Sequence, residues 1–326
     1  MNVDPYFQRV EALNWQGRIE TEASQRIYQK ITILNESVSQ VEDLNHALCI
    51  LGFCTDIGVT RNQGRPGAKD APNAIRKILG NMPYHPLKSD SKIQIFDIGN
   101  IICLEDDLEK AQRRVAEEIK SIHEKNGFSF MLGGGHEIAW AHYQGLQDIN
   151  RDEDFAIVNF DAHFDMRPQI NNEANSGTAF LQIARERQQQ NLPFHYYCIG
   201  IRQQANTASL YETADVWNVN YLHCDDIYEQ PKKLGLYIDA ILAKHRKIYL
   251  TVCMDVFSAS VAPGVSASFP HGLMPWHVLP ALDKLAHSQQ VVAFDIAEYA
   301  PNLDQDHITA KLAALIAANF INIYSR

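Results

Sequence analysis

Three short segments of this chain concentrate side chains that bind cations. In Asn159-Phe160-Asp161-Ala162-His163-Phe164-Asp165-Met166-Arg167, two carboxylates and an imidazole recur at every second position. Alternate side chains of an extended chain share one side, so Asp161, His163 and Asp165 would converge there. Two carboxylates brought together at a strand end repel and desolvate each other, whereas a divalent cation makes the same arrangement favourable. The bland alternative is a solvated acidic loop carrying a surface histidine.

Upstream, Gly133-Gly134-Gly135-His136-Glu137 follows an apolar run and opens a helical pattern. Its glycines allow a tight turn and close backbone approach. A glycine run also suits a phosphate-cradling turn, but the lysine of a P-loop is missing. Beside the acidic cluster, His136 becomes the fourth candidate ligand. Downstream, Thr251-Val252-Cys253-Met254-Asp255-Val256-Phe257 again ends an apolar run with two ligand types at alternate positions, Cys253 and Asp255. Cys253 can equally be read as a buried apolar thiol.

Two further regions carry charge suited to a substrate. Arg167 is followed by a polar loop, and a guanidinium can clamp a carboxylate through two charge-assisted bonds. The competing readings are a surface arginine or an internal ion pair. The segment 58–68 is rich in turn formers and holds Arg61 and Arg65. Either arginine can face a carboxylate, or tie the loop to its own carbonyls. Ser176 and Gly177 offer polar contacts or serve as plain turn residues.

The elements that must position these groups alternate in type. Short apolar β-rich runs at 47–53, 93–98, 128–132, 155–160, 194–201, 248–252 and 291–295 are separated by helical patterns, the clearest at 107–125, 138–145, 179–190, 234–244 and 307–323. That rhythm predicts a three-layer α/β/α fold around a doubly wound, mostly parallel sheet. Phe155-Ala156-Ile157-Val158 is apolar throughout, as expected of a strand covered on both faces. Asp70-Ala71-Pro72 reads as a helix start with a capping carboxylate and a proline in the first turn. The polar clusters all follow strand candidates, and open α/β sheets bind ligands outside the carboxyl ends of their strands. No linker or repeat interrupts the pattern. A more polar extension over 1–40 is expected to pack on a catalytic domain over 41–326.

Composition narrows the function. The 326 residues are 46% hydrophobic and 21% charged, a globular balance. With 29 basic against 39 acidic residues the net charge is -10, which argues against a nucleic-acid surface. No apolar stretch is long enough to span a bilayer and no leader pattern opens the chain, so the expectation is a cytoplasmic protein that does not enter membranes. The six cysteines lack the spacing of a zinc finger or disulfide scaffold.

From about Gly52 to Glu298, these segments resemble in order and spacing the metal-binding motifs of the arginase (ureohydrolase) family. The resemblance implies a hydrolase with two metal ions per subunit, usually Mn2+, held by His136, Asp161, His163, Asp165 and Asp255, with Asp161 bridging. Cys253 stands where the family normally has a second bridging aspartate; a thiolate there would weaken one site, shift its metal preference or abolish it. Asp295-Ile296-Ala297-Glu298-Tyr299 matches the family segment whose glutamate holds a cationic amidine or guanidine. Asp165 and Glu298 are therefore the implied catalytic groups, Asp165 as proton relay.

The continuation Gly-His-Glu-Ile-Ala-Trp from Gly135, the terminal Arg167, Asn206-Thr207 and the stretch 262–267 resemble the branch of that family that cleaves the formimidoyl C–N bond of a glutamate-derived amidine. Arg167, Ser176, Gly177, Asn206, Arg61, Arg65 and Glu298 are then the expected substrate contacts. The implied partner is a small molecule, with a homo-oligomer open. Agmatine, arginine or another guanidino compound is the competing substrate. A metal-deficient, non-catalytic relative is the competing class, motivated by Cys253.

Overall fold

The structure is a computed structural model that describes residues 4–19, 25–38, 41–85, 93–146, 149 and 151–324. Parts of the 1–40 stretch, at 1–3, 20–24 and 39–40, lie outside the described residues.

Among the described residues ten strands form one sheet: β1 Phe7–Gln8, β2 Ile31–Ile33, β3 Leu48–Cys54, β4 Ile95–Ile102, β5 Phe128–Leu132, β6 Phe155–Phe160, β7 His195–Ile201, β8 Asn220–His223, β9 Lys247–Cys253 and β10 Val291–Ala297. Their order is β1-β4-β3-β5-β10-β9-β6-β7-β8, with β2 also on β4. Every pairing is parallel except β1 with β4. The helices are α1 Ile57–Arg61, α2 Ala71–Gly80, α3 Leu108–Glu124, α4 Ile138–Gly145, α5 Ala179–Gln189, α6 Ala208–Val216, α7 Cys224–Glu229, α8 Lys232–Lys244, α9 Pro275–Ser288 and α10 Ile308–Tyr324.

The apolar strands divide their residues between two cores. Ala156, Val158 and Phe160 of β6 face one core with α2, α7, α8, α9 and α10, while Phe155 and Ile157 face the other with α3, α4, α5 and α6. Covered faces on both sides explain why these strands lack polar alternation. The expected three layers and mostly parallel sheet are thus present.

Several expectations need correction. Pro72 sits in the first turn of α2, but the Asp70 side chain makes no capping bond. β4 continues past Ile98 to Ile102. Short strands β1, β2 and β8 and helices α1, α6, α7 and α9 were not anticipated.

The N-terminal segment is fastened to the sheet by β1, by β2 and by Trp15, whose indole N–H donates to Asp97 Oδ2. Asp97 also receives Arg76 Nε at 2.8 Å and Nη2 at 2.9 Å, both side chains being fully buried. No helix among the described residues is long and apolar enough to cross a membrane.

Candidate active site

The four neighbouring strands β5, β10, β9 and β6 deliver the chemical groups, each from its carboxyl end. After β5 the chain turns sharply at Gly133 (φ +73°) and Gly134 (φ +84°), a conformation that suits glycine. A Cβ on Gly134 would stand 2.8 Å from the Phe53 carbonyl, so the turn also needs the missing side chain. This turn aims His136 at the loop after β6.

His136 Nδ1 lies 2.9 Å from Asp161 Oδ2 and 2.9 Å from Asp165 Oδ2. His163 Nδ1 lies 3.5 Å from Asp161 Oδ1 and 3.1 Å from Asp255 Oδ2. Two groups of ligand atoms result, His136 with Asp161 and Cys253, and Asp161 with His163 and Asp255, each within 4.8 Å. Asp161 belongs to both, offering one oxygen to each side. The six residues anticipated as ligands are therefore together.

Their chemistry fits a cation. His136 Nδ1 and Asp255 Oδ1 are buried yet have no hydrogen-bond partner, despite the short distances around them. Buried polar atoms are rarely left so, unless something else satisfies them. Burial opposes the charge of His136, but the carboxylates of Asp161 and Asp165 outweigh it and hold the imidazole well above its ordinary value. His163 is raised likewise, against burial, by Asp255 and Asp161. Burial, reinforced by the Asp161 charge, lifts Asp165 to about 6. The cluster thus draws positive charge to itself, a demand that divalent cations meet.

Beneath the ligands lies a buried polar network. His136 Nε2 is 3.0 Å from Thr251 Oγ1, and the Thr251 hydroxyl donates to Asp295. Thr251 therefore accepts the Nε2 proton, which leaves Nδ1 as the ring nitrogen that faces the carboxylates. Asp295 also receives the Tyr249 hydroxyl and lies 2.8 Å from His142 Nδ1. His142 Nε2 continues to Ser129 at 2.7 Å, and Ser129 to His123 at 2.8 Å. Neither Asp295 nor Thr251 is among the site residues expected from the sequence. A lone carboxylate within Val291–Ala297, and Thr251 in phase with Cys253 and Asp255, were the available signals.

Two site residues adopt left-handed backbone: Asp165 at φ +47° and Glu298 at φ +68°. Non-glycine residues pay strain for that conformation, and such strain clusters at functional sites. Glu298 Oε1 accepts the His136 N–H at 2.8 Å, and the Glu298 N–H donates to the Gly134 carbonyl at 2.9 Å. Burial, with the nearby Glu137 charge, raises the Glu298 carboxyl well above its ordinary value.

A cleft of about 630 Å³ opens over this floor, lined by His163, Asp165, Asp255 and Glu298 below and by Arg61, Asn62, Arg65, Arg167, Ser176 and Ser266 around it. Arg167 is exposed, and among the described residues its guanidinium makes no ion pair or hydrogen bond. Gly177 leaves it room, since a Cβ there would stand 3.1 Å from Arg167 Cδ. Ser176 Oγ accepts the Asn62 amide at 3.1 Å at the cleft wall.

The other arginines serve the loops. Arg61 Nη1 donates to Glu109 Oε1 at 2.7 Å and to the Ala174 carbonyl at 3.1 Å, and its Nη2 to the Asp106 carbonyl at 3.1 Å. Its fork is spent, so the expectation of a substrate contact is corrected to a structural tie. Arg65 ties to Ser266 O at 3.0 Å and Val265 O at 2.7 Å through Nε and Nη2, keeping only Nη1 for the cleft. Asn206 is not part of the lining: its oxygen accepts Phe164 N–H at 3.0 Å and its amide donates to the Ala162 and Arg202 carbonyls, each at 2.9 Å. Asn206 thus holds the loop after β6 in shape rather than facing the cleft. Asn62, Gln63, Asn175 and Ser266 are polar cleft residues not singled out from the sequence.

The arginase family model matches residues 46–322. The chain belongs to the arginase family. Among its relatives within that family, formimidoylglutamase of Legionella pneumophila (strain Paris) is 42% identical over 94% of this chain and 95% of its own. Formimidoylglutamase of Clostridium tetani is 36% identical over 96% and 94%. Among solved structures, formimidoylglutamase from Bacillus subtilis superposes with a TM-score of 0.83 at 23% identity, covering 95% of this chain and 94% of that one. Formiminoglutamase from Trypanosoma cruzi, crystallised with Mn2+, gives 0.76 at 21% identity over 85% and 93%. These structural likenesses establish the arginase fold for the chain.

Proposed function

We propose that this arginase-family chain hydrolyses N-formimidoyl-L-glutamate to L-glutamate and formamide with a pair of divalent cations, manganese first among them. One ion would be held by His136, Asp161 and Asp165, the other by Asp161, His163 and Asp255. The observation that carries the proposal is the pair of ligand groups hinged on Asp161, beneath a cleft with an unpaired guanidinium on its wall. The names of the relatives that match over nearly the whole chain support the substrate.

Bound there, the cations would lower the pKa of water and polarise the amidine carbon. Asp165, which lines both the ligand cluster and the cleft, is placed to take the proton of the attacking water and pass it to the departing nitrogen. Glu298 would face the amidinium with Oε2, since Oε1 is held by the His136 N–H. Arg167 would clamp a substrate carboxylate, with Ser176 and Arg65 Nη1 as neighbouring donors. Water cleaves the C–N bond: its oxygen ends in formamide, and the amine of glutamate leaves with a proton. The six cysteines are unpaired, which suits a reducing compartment, and we place the chain in the cytoplasm.

The test is glutamate release from N-formimidoyl-L-glutamate after preincubation with Mn2+ and, separately, other divalent ions, for the natural chain and Asp161→Ala. Glutamate release by the natural chain and its loss with the metal in the variant are expected. Unaltered turnover in Asp161→Ala, or no turnover with any ion in the natural chain, would refute the proposal.

A further inference from the structure

The two ligand groups are chemically unlike, because Cys253 belongs to only one of them. Its side chain ends β9 at 1% exposure, and its Sγ groups with His136 and Asp161, whereas Asp255, two residues on, groups with Asp161 and His163. Among the described residues the Cys253 thiol makes no hydrogen bond, although the buried Cys198 thiol does, donating to the His163 carbonyl at 3.2 Å. The fully buried and unpartnered Nδ1 of His136 points into the same half.

That half therefore offers one imidazole nitrogen, one oxygen from Asp161 and one sulfur, with Asp165 Oδ2 standing 2.9 Å from His136 Nδ1. The other half offers an imidazole nitrogen and carboxylate oxygens alone. Thiolate sulfur selects zinc and related softer ions, while carboxylate oxygen suits manganese. Three protein donors of mixed N, O and S type also match the ligand number of an open zinc site.

Resting on the metal-centre reading above, we propose that the two halves take different ions. Cys253 is a thiolate ligand that makes the His136 half a site for a softer divalent ion such as Zn2+ or Co2+, and the His163 half takes Mn2+. On binding, the thiol gives its proton to water as the sulfur–metal bond forms, and no atom changes oxidation state.

The test needs no turnover. The chain is stripped with a chelator, reloaded with Co2+, and its near-ultraviolet spectrum recorded. A sulfur-to-cobalt charge-transfer band is expected in the natural chain and none in Cys253→Asp or Cys253→Ser. Reloading with Zn2+ against a large excess of Mn2+, followed by elemental analysis, should leave more zinc on the natural chain than on Cys253→Asp. Cobalt bound without the band, or the same zinc content in the natural chain and Cys253→Asp, overturns the ligand assignment while leaving a two-metal centre standing. No metal bound by the natural chain under any loading overturns the centre itself, and this assignment with it.

Discussion

Glu298 Oε1 accepts the backbone N–H of His136 at 2.8 Å, so the loop after β10 braces the loop that carries a proposed metal ligand. A neutral amide oxygen can keep that brace, but it cannot offer charge to an amidinium. Glu298→Gln is therefore expected to lower kcat/KM by roughly 10²-fold, the scale of one charge-assisted hydrogen bond. Metal content, by elemental analysis, should stay at the natural level. A loss of metal equal to the loss of activity would move Glu298 from the substrate to the scaffold.

Arg167 stands unpaired on the cleft wall and is proposed to hold a carboxylate. Arg167→Ala should weaken turnover of formimidoylglutamate by about 10- to 100-fold, mainly through KM, from the loss of a charged pair of hydrogen bonds. A simple N-alkyl formamidine without carboxylates should be turned over equally by both proteins. Equal losses on the two substrates would show that the guanidinium does something other than read the carboxylate.

Asp97 gathers Arg76 and Trp15 at one buried point. Asp97→Ala would leave the buried Arg76 guanidinium without its counter-ion, held only by the neutral oxygens of Asn73, Asn100 and Gly99, and removing half of a buried pair costs about 3–5 kcal/mol. Denaturant unfolding should show that loss, together with a changed Trp15 environment in fluorescence. A cost under about 1 kcal/mol, within the range of a surface pair, would mean that the pair contributes little.

His123 provides a pH response away from the cleft. Burial, aided by His142 beyond Ser129, pushes its imidazole down to about 3. The unfolded ring titrates near its ordinary value of about 6.5. Between those values the unfolded chain binds a proton that the folded chain refuses, so stability is held above pH 6.5 and lost as pH falls toward 3. By this linkage the loss is about 2 kcal/mol at pH 5. Melting curves from pH 7 to 5 should fall less steeply for His123→Gln than for the natural chain. Parallel curves would remove His123 from the account.

The ligand residues could be read directly because they follow apolar runs and recur with the two-residue period of extended chain, as Asp161, His163 and Asp165 do. Position along one strand end is local information. What joins distant loops is not: Arg61 meets Glu109 and Ala174, and Asn206 meets Ala162, through geometry that no spacing encodes. Helix α9 escaped notice because Pro275 and Pro280 break its pattern, although the first lies where a helix tolerates proline. β1 and β2, of two and three residues, are too short to show periodicity and exist because β4 offers an edge.

The left-handed backbone at Glu298 sets folding against purpose. Glycine would occupy that conformation without penalty, so a library of variants ranked only by heat tolerance should drift toward Glu298→Gly and discard the carboxylate. Asp165 is exposed to the same pressure, in milder form because aspartate accepts this geometry more readily. Efforts to toughen the protein would therefore do best to freeze both positions before any screen begins.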